Sequence, residues 1–108
     1  MMYRTVWKYV MVQTQELLPV GTDAKILHVG MTTGRLPTLW VEHRVSSNVA
    51  IADRPTHYMH VEVCGTGDNI ADDLKHVGTV QVSQTLVWHV YEKTGEMTRI
   101  ARRGRVRP

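Results

Sequence analysis

The sequence predicts a mainly β protein, a small antiparallel sandwich or barrel of about seven short strands with at most one short helical turn. Three observations carry this expectation. Runs rich in Val, Ile, Thr, Tyr and Trp recur along the 108 residues, and such side chains suit a pleated surface. Glycine, proline and Asn/Asp clusters interrupt those runs at the spacing of strand-to-strand turns. Several runs alternate apolar and polar residues with a period of two.

The first run is Thr5 to Met11, with Val6, Trp7, Tyr9 and Val10 inside it. The second, Gln15 to Leu18, is expected to stop at Pro19 and Gly21, which interrupt ladder pairing and permit a turn. The third spans Ala24 to Thr32. Simple alternation puts Leu27, Val29 and Met31 on one face and Ile26, His28 and Gly30 on the other. Thr33-Gly34 reads as a hairpin turn. Thr38 to Val45 alternates most cleanly, with Leu39, Val41, His43 and Val45 against Trp40, Glu42 and Arg44.

Residues 46–56 read as a surface loop. His57 to Cys64 is the fifth strand, its Met59, Val61 and Val63 opposite Tyr58, His60, Glu62 and Cys64. Gly65-Thr66-Gly67 ends it. Asp68 or Asn69 can cap one helical turn reaching Leu74. Val77 to Val82 and Thr85 to Glu92 close the series, joined at Ser83-Gln84 as a hairpin.

Composition sets the class. With 43% hydrophobic and 21% charged residues, the chain falls among globular domains rather than disordered ones. Its length allows a real core without a disulfide or metal staple. No run of about 18 apolar residues is present, so no membrane span is expected. Met1-Met2-Tyr3-Arg4-Thr5 lacks the apolar stretch of a signal peptide, and Cys64 has no second cysteine to pair with. A cytoplasmic location is the expectation.

Charge divides the chain. Residues 1–92 carry 7 Lys/Arg against 9 Asp/Glu, a net of −2, while residues 93–108 carry 6 against 1, a net of +5. The expected organisation is a single β domain over 1–92 and a basic, flexible tail over 93–108. Five arginines, Arg99, Arg102, Arg103, Arg105 and Arg107, fall within nine residues of that tail. Their planar forks suit phosphate or carboxylate. A solvated terminus is the plain alternative.

The motifs Trp7-Lys8-Tyr9, Ala24-Lys25-Ile26-Leu27-His28-Val29, Leu39-Trp40, Gly65-Thr66-Gly67, His76-Val77-Gly78-Thr79-Val80-Gln81 and Val87-Trp88-His89-Val90-Tyr91-Glu92 form a combined pattern. In this pattern the chain resembles a family of small actinobacteriophage (mycobacteriophage-like) proteins of unknown function, from about residue 5 to residue 92. The resemblance implies a phage origin and work inside a bacterial host. It carries no catalytic residues over. Cys64 departs from it, standing where an aromatic residue is expected.

No constellation announces catalysis. The six histidines lack the short, defined spacing of zinc ligands, and His57 and His60, three apart on a strand, point to opposite faces. Gly65-Thr66-Gly67 lacks the Lys-Ser/Thr of a phosphate loop and is followed by Asp68, Asp72 and Asp73. Cys64 reads as a core or interface residue. No catalytic, cofactor or metal residues are therefore expected, and the chain is read as a non-enzyme.

Trp7, Trp40 and Trp88 read as core by default. Trp40 is the one expected at an interface, because its face also carries Glu42 and Arg44. The expected function is that of a phage accessory protein binding a host or phage protein, itself a homo-oligomer. The alternative is nucleic-acid binding through the arginine tail. A weaker alternative is a β-barrel that sequesters a small ligand.

Overall fold

A computed structural model of the chain describes residues 2–46, 54–93 and 98–99. Among these residues eight strands follow one another: β1 (Met2–Val10), β2 (Gln15–Val20), β3 (Thr22–Gly30), β4 (Thr38–Ser46), β5 (His57–Gly65), β6 (Leu74–Gln81), β7 (Val87–Lys93) and the two-residue β8 (Thr98–Arg99). They form two antiparallel sheets. One has three strands in the order β1-β4-β3; the other runs β2-β5-β7-β6, with β8 beside β5. The sheets stay separate, so the fold is a sandwich rather than a closed barrel.

The period-two pattern explains the core. Leu39 and Val41 of β4 meet Leu18 and Val20 of β2, Met59, Val61 and Val63 of β5 and Val90 of β7, with Met11 closing the end after β1. All are buried. Trp88, Ile26 and Val29 pack against this cluster from its rim. The Trp88 indole N–H donates to the Arg35 carbonyl (3.2 Å), which pins the β3–β4 loop to the opposite sheet.

The chain crosses from sheet to sheet at a single residue. β2 ends at Val20, and β3 begins at Thr22 in the other sheet. Gly21 between them is buried, and its N–H donates to Nδ1 of His43 (2.7 Å). A Cβ at this position would stand 2.5 Å from the Arg44 carbonyl oxygen, so only glycine fits. Asp23, with φ of 56°, completes the bend, and the β3–β4 register shifts between Thr22 and Lys25. Sandwich corners are commonly made by strands that change sheets through such bends.

Several sequence expectations change. Pro19 lies within β2 rather than ending it; β2 is an edge strand, where a missing N–H is tolerated. Alternation in β3 breaks at a register shift between Ile26 and His28. Ile26 and Val29 therefore both reach the core rim, and Leu27 is exposed. The link from β3 to β4 is a loop over 31–37 rather than a two-residue hairpin. Among the described residues there is no helix, and the expected helical turn before Leu74 is a turn at 72–73 that enters β6 directly. Most of the expected loop at 46–56, residues 47–53, lies outside the described residues.

The expected domain boundary after residue 92 falls within β7. Beyond it, Thr98 and Arg99 pair with Tyr58 and His57 of β5, on the side that β7 occupies further along. Arg102, Arg103, Arg105 and Arg107 lie outside the described residues. No helix among the described residues is long and apolar enough to cross a membrane.

Candidate functional site: the two outer faces

Each sheet turns one face to the core and one outward. The outer face of the three-stranded sheet is built from the even residues of β1 and β4. Trp40 stands near its centre, half-buried, with Lys8 opposite it on β1 and His28 opposite it on β3. The His28 and Trp40 rings lie 5.2 Å apart, tilted by 45°. Val6 and Leu27 flank them, 47% and 48% exposed. The position expected at an interface is thus on an accessible face, on the side of β4 its alternation indicated.

Charge surrounds this aromatic centre. Arg4 sits 3.6 Å from Glu42, and Arg44 sits 3.5 Å from Asp23. Both pairs are exposed and contribute little to stability. Lys25 lies opposite Glu42 in the ladder. Four cations, Arg4, Lys8, Lys25 and Arg44, thus surround two carboxylates, and the face is net basic although residues 1–92 as a whole are acidic.

The outer face of the other sheet has the opposite character. Its polar groups engage one another. The Thr79 hydroxyl lies 2.7 Å from His76 Nε2 and 3.1 Å from His89 Nδ1. The Thr66 hydroxyl takes the other ring nitrogen of His89, also at 3.1 Å. Tyr91 meets the His76 ring edge-on at 5.4 Å, and His60 Nε2 lies 3.0 Å from Glu62. Both ring nitrogens of His89 are thus engaged by threonine hydroxyls. Among the described residues no group of three or more His, Cys, Asp or Glu is placed to hold a metal ion.

Cys64 is buried on this side of β5, outside the main apolar cluster. Burial pushes its thiol pKa up, and the charges of Glu62 and Asp68 add to the effect. The thiol stays protonated at neutral pH and is a poor nucleophile. Trp7 is also not buried outright. It meets His43 edge-on, ring centroids 4.0 Å apart.

The His76–Thr79–His89–Thr66 chain escaped the sequence reading, because it depends on pairing β6 with β7 and on the turn after β5. The cross-strand register Thr79↔His89 creates it. Nor did the sequence mark His43 as the residue that ties the sheet corner. Its place on the apolar face of an alternating strand was the available signal.

A family model described as a domain of unknown function, DUF7352, matches residues 2–100. No curated protein and no solved structure gives a match.

Proposed function

The chain belongs to the DUF7352 family, a domain of unknown function, and from that premise we propose that it is a non-enzymatic accessory protein of a phage, acting in the host cytoplasm as a homo-oligomer that binds a protein partner. The phage setting rests on the motif resemblance. The observation that supports partner binding is the outer face of the three-stranded sheet. It joins an accessible tryptophan, exposed Val6 and Leu27, and an excess of cations. Aromatic anchors ringed by polar groups are the usual core of a binding patch. The basic rim selects a partner with an acidic surface.

The test uses purified protein as bait in an actinobacterial host lysate treated with nuclease, with Trp40→Ala and Lys8→Glu/Lys25→Glu as matched baits. The expected result is an acidic protein retained by the wild type and released by both variants. Retention of the same protein by all three baits would place the contact elsewhere. Nucleic-acid binding is the second reading, motivated by the arginine-rich tail. A short oligonucleotide bound at low salt, with a log–log salt slope of about −4.5 on duplex DNA if five arginines contact phosphate, would favour it over a protein partner.

A further inference from the structure

Among the described residues four long strands, β1, β3, β2 and β6, lie at sheet edges beside the two-residue β8, and an edge exposes backbone groups able to pair with another chain. Here three of the four edges are blunted. In β2, the Thr14 carbonyl accepts the Val63 N–H (2.8 Å), so even residues face β5 and odd residues face outward. Pro19 is one of those odd residues and has no N–H. Its carbonyl already accepts the Tyr9 hydroxyl (2.6 Å). In β3, register shifts at Thr22/Lys25 and Ile26/His28 bend the edge. In β6, a shift between His76 and Gly78 does the same, and the β3 and β6 edges press together where Gly78 meets Val29.

β1 has none of these devices. It runs nine residues in unbroken register against β4, with no proline and no bulge. The Met11 N–H donates to the Pro37 carbonyl (3.1 Å) and extends the same register. Odd residues of β1 therefore direct their backbone groups to β4. The even residues Met2, Arg4, Val6, Lys8 and Val10 direct theirs to the open edge. Met2, Tyr3 and Val6 are 45%, 57% and 47% exposed.

We infer that two copies of this chain pair antiparallel along β1, about a two-fold axis at Thr5, joining their three-stranded sheets into one. The inference rests on the self-association part of the function proposed above. Three constraints fix the register. Even residues must oppose even residues, because they hold the outward backbone groups. A two-fold axis at Val6 satisfies this but sets Arg4 opposite Lys8 of the second copy twice over, and like charges directly opposite repel. An axis at Trp7 leaves Met2 and Tyr3, 45% and 57% exposed, uncovered, whereas an axis at Thr5 leaves Val10, 39% exposed, and Tyr9, whose hydroxyl is already held by the Pro19 carbonyl. An axis at Thr5 pairs Tyr3 with Trp7 and Thr5 with Thr5, and both kinds of pair are favourable across strands. On the outer face it sets Met2 against Lys8 and Arg4 against Val6, so each cation lies over an apolar neighbour. The edge is complementary to itself in this register, which selects a second copy as its occupant. A short edge interface lies at the small end of specific contacts, so the dimer is concentration-dependent.

Thr5 is then a non-hydrogen-bonded pair with Cα atoms about 4.5 Å apart, within disulfide reach. Under mild oxidation, Thr5→Cys is expected to form a covalent dimer and Val6→Cys is not, with the wild type and its buried Cys64 as control. Val6→Pro removes an outward N–H and leaves the β1–β4 ladder intact. It is expected to weaken the dimer at least about tenfold in sedimentation equilibrium, with the far-UV spectrum and melting curve of the monomer retained. A dimer that resists Val6→Pro and does not cross-link at Thr5 overturns this interface while leaving self-association standing. A wild type that stays monomeric at high concentration overturns both. Partner capture at Trp40 is read separately and depends on neither.

Discussion

Two of the junctions between the sheets have opposite character. At Gly21 the backbone itself passes between them, and polar groups hold the bend. His43 accepts the Gly21 N–H, and nearby Tyr9 donates to Pro19. At Gly78 the sheets meet through packing, with the Val29 side chain lying where a Cβ would go. The first junction is constrained by hydrogen bonds and is sensitive to proton balance. The second is constrained by volume and is sensitive to a single methyl group.

The largest effect is expected at Gly21. Gly21→Ala forces a Cβ against the Arg44 carbonyl oxygen at 2.5 Å, and backbone cannot step aside as a side chain can. A loss of about 3 kcal/mol follows, lowering the melting temperature by roughly 15 °C. Gly78→Ala strikes Val29 Cγ2 at 2.7 Å and should cost about 2 kcal/mol. Adding Val29→Ala should restore part of that, so the pair costs less than the sum of the singles. If the two losses simply add in denaturant titrations, the junction is not a volume lock.

Third in size is the pH response of the corner. His43 is buried, its Nδ1 accepts the Gly21 N–H, and its Nε2 has no hydrogen-bond partner among the described residues. Burial lowers its pKa from the ordinary 6.5. The unfolded chain therefore takes up this proton more readily than the folded one. His43's contribution is complete above pH 6.5 and falls as pH drops below it, by at most about 1.4 kcal/mol per unit. Glu92, whose pKa burial raises above 4.5, acts in the opposite sense. It favours the folded state increasingly as the solution becomes acidic. Urea melts between pH 5 and 7 should show the His43 slope in the wild type and a flatter line in His43→Gln.

The smallest effect is expected from Tyr9→Phe, at about 1 kcal/mol, because it leaves the Pro19 carbonyl without its donor. Desolvation by burial pushes the Tyr9 pKa up to about 12. The folded state holds this proton more tightly than the unfolded one, so stability is kept below pH 10 and lost as pH rises from there towards 12. The variant should lack that alkaline decline in melts followed by circular dichroism.

Much of this arrangement was legible in the residues. The alternation of Leu39, Val41 and His43 against Trp40, Glu42 and Arg44 gave both the strand and its two faces, because a strand with one buried side must keep a period of two. The same logic identified Met59, Val61 and Val63 as core. It failed in β3, where a register shift moved Ile26 inward and Leu27 outward. A bulge leaves no mark in a run of apolar residues. It also failed at Pro19, whose place in a strand depends on β2 being an edge.

By itself the sequence determined the class of fold, the strand-forming runs, the apolar faces and the placing of Trp40 away from the core, since all of these follow from local alternation and turn chemistry. It also gave the basic charge of the tail. Only the tertiary structure decided which strands share a sheet. That decision made Gly21 a corner, joined His76 to His89 through Thr79, and left β1 as the one long, regular edge without a neighbour among the described residues. Pairing between strands distant in sequence is set by the closure of the whole core, and no short stretch of residues encodes it.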